Sequence, residues 1–263
     1  MMVPEYDMHV HTVFSGHAHE SATVARLAVR ADELRMRLVC FSEHVHDAAS
    51  LEALSDWRWQ IGQAQRGCSC RLLTGGEVDA DPIRSDGSLT VEVPSWMDFV
   101  IASAHYIPGT DIFPDAPLDV YHLDAGRVLE QWRTTVLGLA RHPRVDMIGH
   151  PGVLLGILLR KFPDRAMAVF REAAAASAAH GQYWDFNDLA FVKLAGLETE
   201  YCQVLQTAID AGVTLLYGSD AHALEHLGRT DNVFRALSGL RGLNAEQLFR
   251  LPDRLAKRFT LQR

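Results

Sequence analysis

His9 and His11, in Asp7-Met8-His9-Val10-His11-Thr12, open a series of nitrogen and oxygen donors that continues through His17, His44, Glu77, His105, His150, Asp220 and His222. Each lies in or just beyond a short apolar run that reads as a β-strand. Residues two apart on a strand point to one face, so His9 and His11 can chelate one cation. Asp220-Ala221-His222 repeats the device after Leu215-Leu216-Tyr217-Gly218. Neutral imidazoles and carboxylates suit zinc, manganese or iron. A catalytic zinc takes about three protein ligands and leaves a position open, so this donor set exceeds one ion and predicts two or three metals, one carboxylate bridging. Paired divalent ions of this kind hydrolyse phosphate esters.

The weight lies in placement. Thirteen histidines make an isolated His-x-His a weak signal, and each donor alone could be a hydrogen-bonded residue at a strand end. Six of seven candidate strands ending this way together make a metal site. The strands are expected at 5–10, 38–42, 71–78, 99–104, 145–149, 182–186 and 214–218, with helices over 21–35, 51–66, 118–141, 164–180 and 198–212. Ser21 is a plausible N-cap for the first helix, Pro163 and Asp164 start the fourth, and Gly181 stops it. Strands joined by helical crossovers imply a parallel sheet. The expected fold is α/β: a seven-stranded (β/α) barrel with the metal site at the C-terminal ends of its strands, the edge that carries chemistry in such barrels. An open doubly wound sheet is the alternative. No long linker interrupts residues 1–263, so one domain is expected, closed by a helical segment near 244–259.

Composition narrows the partners. With 48% hydrophobic and 22% charged residues the chain can fill a core. Its formal charge of −8 gives no overall footprint for nucleic acid. The apolar run Val153–Leu159 stops at Arg160, too short to span a membrane, and the N-terminus has no basic-then-apolar leader. A cytoplasmic protein is expected, with Cys40, Cys68, Cys70 and Cys202 as free thiols.

The pieces His9-Val10-His11-Thr12, Phe14-Ser15-Gly16-His17-Ala18, Phe41-Ser42-Glu43-His44, Gly76-Glu77-Val78-Asp79, Ala104-His105-Tyr106, Ile148-Gly149-His150 and Gly218-Ser219-Asp220-Ala221-His222 run in the order found in the PHP (polymerase and histidinol phosphatase) domain. The chain resembles that family, and within it the histidinol-phosphate phosphatases. The resemblance extends to Trp184-Asp185-Phe186-Asn187. It departs where Ser15 replaces the usual cysteine, and where Asp188-Leu189-Ala190-Phe191-Val192-Lys193 replaces a segment with an arginine. It implies a distorted seven-stranded barrel in which His9, His11, Glu77 and Asp220 hold one metal. Glu77 would bridge to a second with His105 and His150, and His17, His44 and His222 would hold a third. Glu77, Asp220 and His222 are the residues expected closest to the chemistry. Arg160, Lys193 and Arg229 are the cations considered for the substrate's phosphate, and Tyr106 and Trp184 the aromatic walls. The expected function is hydrolysis of a small phosphate monoester, L-histidinol phosphate first, by metal-activated hydroxide. A PHP phosphatase or nuclease acting on nucleotides or nucleic-acid ends, and a non-catalytic metal-binding regulatory domain, are the alternatives.

Overall fold

The computed structural model of the protein describes residues 3–113, 122–152 and 156–261. Seven strands, β1 (Tyr6–Val10), β2 (Leu38–Val45), β3 (Arg71–Asp79), β4 (Phe99–Ser103), β5 (Met147–Ile148), β6 (Tyr183–Asn187) and β7 (Thr214–Gly218), lie in sequence order, every neighbouring pair parallel. The first and last meet just past β7: Asp220 N donates to His9 O at 2.8 Å, and His11 N to Ala221 O at 2.9 Å. The result is a nearly closed barrel, as expected.

Helices α1 (Val24–Glu33), α2 (Ala48–Gln65), α3 (Ala125–Leu139), α4 (Gly156–Lys161), α5 (Pro163–His180), α6 (Asp188–Lys193), α7 (Glu198–Asp210), α8 (Asp231–Ala236), α9 (Ala245–Phe249) and α10 (Asp253–Arg258) complete the chain. Pro163 occupies the first turn of α5, and Gly181, at φ 66°, closes it in the left-handed region. None of the helices among the described residues is long and apolar enough to cross a membrane.

Several boundaries differ from expectation for local reasons. Thr23, not Ser21, caps α1, accepting from Arg26 N at 3.3 Å. Ser21 is buried, and its hydroxyl instead accepts from Leu224 N at 3.1 Å, tying the start of α1 to the segment after β7. α2 begins at Ala48 because Asp47 and Ser50 form a capping box. The helix expected from residue 118 starts at Ala125 behind the Asp124 cap, and 118–121 fall outside the described residues. β2 runs on to Val45, so His44 sits inside a strand, while β3 ends at Asp79, one residue past the expected strand that already held Glu77. Pro252 splits the C-terminal helical segment in two.

The barrel floor is tied by polar contacts at the N-terminal ends of the strands. The Tyr6 hydroxyl donates to Leu248 O at 2.7 Å and accepts from Tyr217 N at 3.1 Å. Arg258 reaches Asp146 and donates to Asp98 O at 2.6 Å. At the other end, packing leaves no room for extra atoms: a methyl on Gly218 would lie 2.6 Å from Asp185 Oδ1 and 2.7 Å from His9 Cβ.

Between sheet and helices, Phe170 of α5 is fully buried, its ring 4.8 Å from Trp132 of α3 and 6.4 Å from Trp184 of β6. Trp184, considered as a pocket wall, is therefore a core residue, with Nε1 donating to Ser177 Oγ at 2.9 Å. Phe170→Ala should lower stability by about 3–5 kcal/mol, read from denaturant midpoints. A loss below about 1 kcal/mol would show that this seam does not hold the α3–α5 layer to the barrel.

Candidate metal centre

Five ring nitrogens converge on one carboxylate. Glu77 is fully buried, and Nε2 of His150 and of His105 lie 2.8 and 3.2 Å from its Oε1, where Ser103 Oγ also donates at 2.6 Å. Around Oε2 stand His44 Nδ1 at 2.9 Å, His9 Nε2 at 3.3 Å and His11 Nε2 at 3.4 Å. Asp220, from the turn after β7, places Oδ1 3.2 Å from His11 Nε2, 3.5 Å from His222 Nδ1 and 3.8 Å from His9 Nε2. His17 closes the outer side, its ring 4.7 Å from that of His222 and 5.0 Å from that of His44. All nine donors picked out in the sequence thus gather at the C-terminal edge of the barrel.

Their contacts fit cations better than hydrogen bonds. His9 Nε2 and His11 Nε2 lie 3.1 Å apart, and His105 Nε2 and His150 Nε2 3.3 Å apart, so each pair shares one proton at most. Glu77 Oε2 and His44 Nδ1, 2.9 Å apart, are out of line for a hydrogen bond, and both are buried without a partner among the described residues. Buried polar atoms are nearly always satisfied. Lone pairs aimed at common points but at no donor are what a ligand set presents. Among the described residues, four triplets have donor atoms mutually close enough for one ion: His9, His11 and Glu77; His9, His150 and Asp220; His44, Glu77 and His105; and His11, His44 and His222. These overlap the partition implied by the family resemblance but are not identical to it: His150 also groups with His9 and Asp220, His44 with Glu77, and His11, in place of His17, groups with His44 and His222.

A second tier of acids orients the rings, and here sequence reasoning missed residues. Asp185 accepts from His9 Nδ1 at 2.8 Å and from His150 N at 3.3 Å, leaving the His9 Nε2 face toward Glu77. Asp79 accepts from His105 Nδ1 and from His46 Nδ1, both at 2.6 Å. His46 is therefore fixed at the edge of the cluster. The available signal was strand alternation, which puts Asp79 on the Glu77 face and Asp185 on the Asn187 face. The backbone is also held in uncommon states: His150 has φ 20° and Asp220 φ 55°, conformations costing about 1–3 kcal/mol each and usual only where surroundings enforce them.

Among the candidate cations, Lys193 lies at the end of α6 with Nζ 3.7 Å from Asp220 Oδ2. Arg229 instead faces Asp231 at 3.4 Å and Asp188 at 3.8 Å, and Arg160 is exposed on α4. Among the described residues, no hydrogen bond or ion pair joins either arginine to the donors.

Without cations the charges settle on protons. Burial alone would raise the Glu77 carboxyl, but His105, His9 and His44 outweigh it and hold Glu77 well below its usual range. Asp220 is held down in the same way, against burial, by His9, His11 and Lys193. Burial would lower His105, yet Glu77 and Asp79 push it up to about 10, and Glu77, Asp220 and Asp185 raise His9. His44 falls to about 3 and His222 to about 4, driven by burial and by His11 beside them.

Comparison with known proteins bears on this arrangement. The PHP domain model matches residues 7–189. A curated relative named "Probable phosphatase" from Acetivibrio thermocellus is 28% identical over 236 residues, covering 88% of this chain and 85% of the relative. A "Probable histidinol-phosphatase" from Deinococcus radiodurans is 27% identical over 238 residues, covering 84% and 88%. Among solved structures, the histidinol phosphate phosphatase of Lactococcus lactis subsp. lactis, complexed with zinc, L-histidinol and phosphate, superposes with a TM-score of 0.56 at 17% identity, covering 85% of this chain and 88% of that one. That likeness supports the barrel fold.

Because His105 and His9 carry protons when no cation is present, metal uptake must expel them. Calorimetric titration of the apo protein with zinc or manganese, in buffers of different ionisation enthalpy at pH 7, should show at least about one proton released per chain. Affinity should fall by more than about tenfold between pH 8 and pH 6. Uptake with no proton release at any pH would contradict this distribution of charge.

Proposed function

The chain belongs to the PHP domain family, and from that premise we propose that it is a metal-dependent phosphatase of small phosphate monoesters, with L-histidinol phosphate as the substrate to test first. The observation that carries this reading is the buried Glu77 carboxylate, with ring nitrogens of His44 and His150, the nearest of five, at 2.9 and 2.8 Å on opposite oxygens. A carboxylate presented to two groups of imidazoles is the donor pattern of a bridged metal cluster. His9, His11, His17, His44, His105, His150, Asp220 and His222 would complete it, holding two or three zinc, manganese or iron ions. When bound, such ions supply Lewis-acid charge to phosphoryl oxygens and an activated water as nucleophile.

The chain's own contribution is positioning. Asp185 and Asp79 fix the ring orientations of His9 and His105, so the donors need little rearrangement on binding. Lys193, beside Asp220 and 42% exposed, offers a point charge where a phosphoryl oxygen would enter. It stands in the segment where the family resemblance led one to look for an arginine. Asp220 and His222 lie close enough to the same point to take part in proton transfer, although ligand duty limits them. The names of the relatives support a phosphatase, and the zinc, L-histidinol and phosphate of the Lactococcus lactis enzyme make histidinol phosphate the first candidate.

Phosphate release by metal-loaded protein from L-histidinol phosphate, beside 4-nitrophenyl phosphate, tests the reading. It predicts a kcat/KM at least about tenfold higher for histidinol phosphate. Equal, weak turnover of both would move the substrate elsewhere, and no release from either, with metal bound, would overturn the phosphatase assignment. Lys193→Ala should lower kcat/KM by about ten- to a hundredfold, chiefly through KM, and weaken inhibition by inorganic phosphate. An unchanged KM would remove Lys193 from the substrate site.

A further inference from the structure

Four aromatic rings close a circuit at the rim of the metal centre. His46 lies 6.4 Å from Tyr106, Tyr106 5.8 Å from Phe113, Phe113 6.2 Å from His105, and His105 6.5 Å from His46, centroid to centroid. His105 belongs to the Glu77 cluster. Phe113 is 56% exposed, and the His46 side chain is 41% exposed.

Isolated exposed apolar side chains are ordinary, and Trp59 and Ile83 are others here. Phe113 differs in being held in place. The chain leaves β4 through His105 and Tyr106, buries Ile107, and turns back: Thr110 N donates to Ile107 O at 3.0 Å, and Ile107 N to Ile112 O at 2.9 Å. The turn is pinned to the loop after β3, Gly109 N donating to Pro82 O at 2.6 Å and to Ser85 Oγ at 2.8 Å. This anchored return sets Phe113 against Tyr106 and His105 while leaving its ring open to solvent. Asp79 fixes His46 in the same circuit. The two sides of the centre then differ in chemistry. Lys193 reaches Asp220, which lies among the histidines on Glu77 Oε2, whereas Phe113 reaches His105 on Oε1. A phosphate ester spanning the centre, phosphoryl group toward Lys193, would lay its organic half on the aromatic side.

We infer that Phe113, with Tyr106 and His46, forms the subsite for the organic half of the substrate and selects esters carrying a flat unsaturated ring. This rests on the phosphatase reading and narrows its substrate class. Rings stack by offset or edge-to-face contact, so Phe113 contributes affinity to a ring-bearing ester and little to a small polyol ester.

The test compares kcat/KM of metal-loaded wild type, Phe113→Ala and Phe113→Tyr for benzyl phosphate, L-histidinol phosphate and glycerol 3-phosphate. All three leave as alkoxides, so differences report binding of the organic half. Wild type should prefer both ring-bearing esters. Phe113→Ala should cut that preference by about five- to tenfold, mostly through KM, with glycerol 3-phosphate changed less than about twofold. Phe113→Tyr should keep it, which separates ring contact from general loosening of the turn. An equal loss on all three esters, or an unchanged preference in Phe113→Ala, overturns the subsite while leaving the phosphatase reading standing. Failure of wild type to hydrolyse any phosphate ester would sink both, and is recognised by the absence of turnover before any variant is compared.

Discussion

A carboxylate with no access to water must find positive charge, and in this protein Glu77 finds it in five imidazoles. Stripping an ionised carboxylate of water costs several kcal/mol even after relaxation, so the anion is tolerable only while its neighbours carry protons or hold cations. Protons are a poor solution, because facing Nε2 atoms 3.1 and 3.3 Å apart cannot both be protonated at that separation without repulsion. Divalent cations, as proposed, would give these lone pairs the positive charge that protons cannot. On the proposed reading the centre is arranged for them, and the metal-free charge distribution is the frustrated alternative.

The fold serves this constraint by bringing donors from distant positions to one edge. Parallel strands all end on the same side, so residues as far apart in sequence as His9 and His222 meet without long excursions of the chain. Closure between β1 and the turn after β7 sets the Asp220–His222 segment against His9 and His11, and the positive φ of Asp220 is retained by that pairing. Asp185 and Asp79 then remove the rotational freedom of His9 and His105. The tight packing at Gly218, where a methyl would strike both Asp185 and His9, shows how little slack separates the two tiers.

Much of this was legible in the residues themselves. Seven apolar runs predicted seven strands, and polar donors at their ends marked the functional edge, because burying such side chains has few purely structural reasons. Strand ends were less legible: β2 continues through His44 to Val45, since a donor buried in a cluster no longer interrupts a strand as a solvated polar residue would. The orienting roles of Asp79, Asp185 and His46 were not legible because an acid or imidazole inside a strand or loop reads equally as a satisfied buried group until its partner is known. Among the cations, Lys193 comes near the donors while Arg160 and Arg229 point elsewhere. That distinction depends on the short helices α6 and α8 and on the Asp188 pairing, none of which carries a periodic signature long enough to read.

The central claim is that Glu77 holds a bridged cluster rather than an ordinary buried salt bridge. The most direct measurement is elemental analysis of metal per chain in wild type and Glu77→Gln, both folded and reloaded with excess zinc or manganese before desalting. The account predicts two or three ions in wild type and the loss of at least two in Glu77→Gln, because the substitution removes the shared charge while keeping the volume. A full metal complement in Glu77→Gln, or a wild-type chain that takes up none, would contradict it.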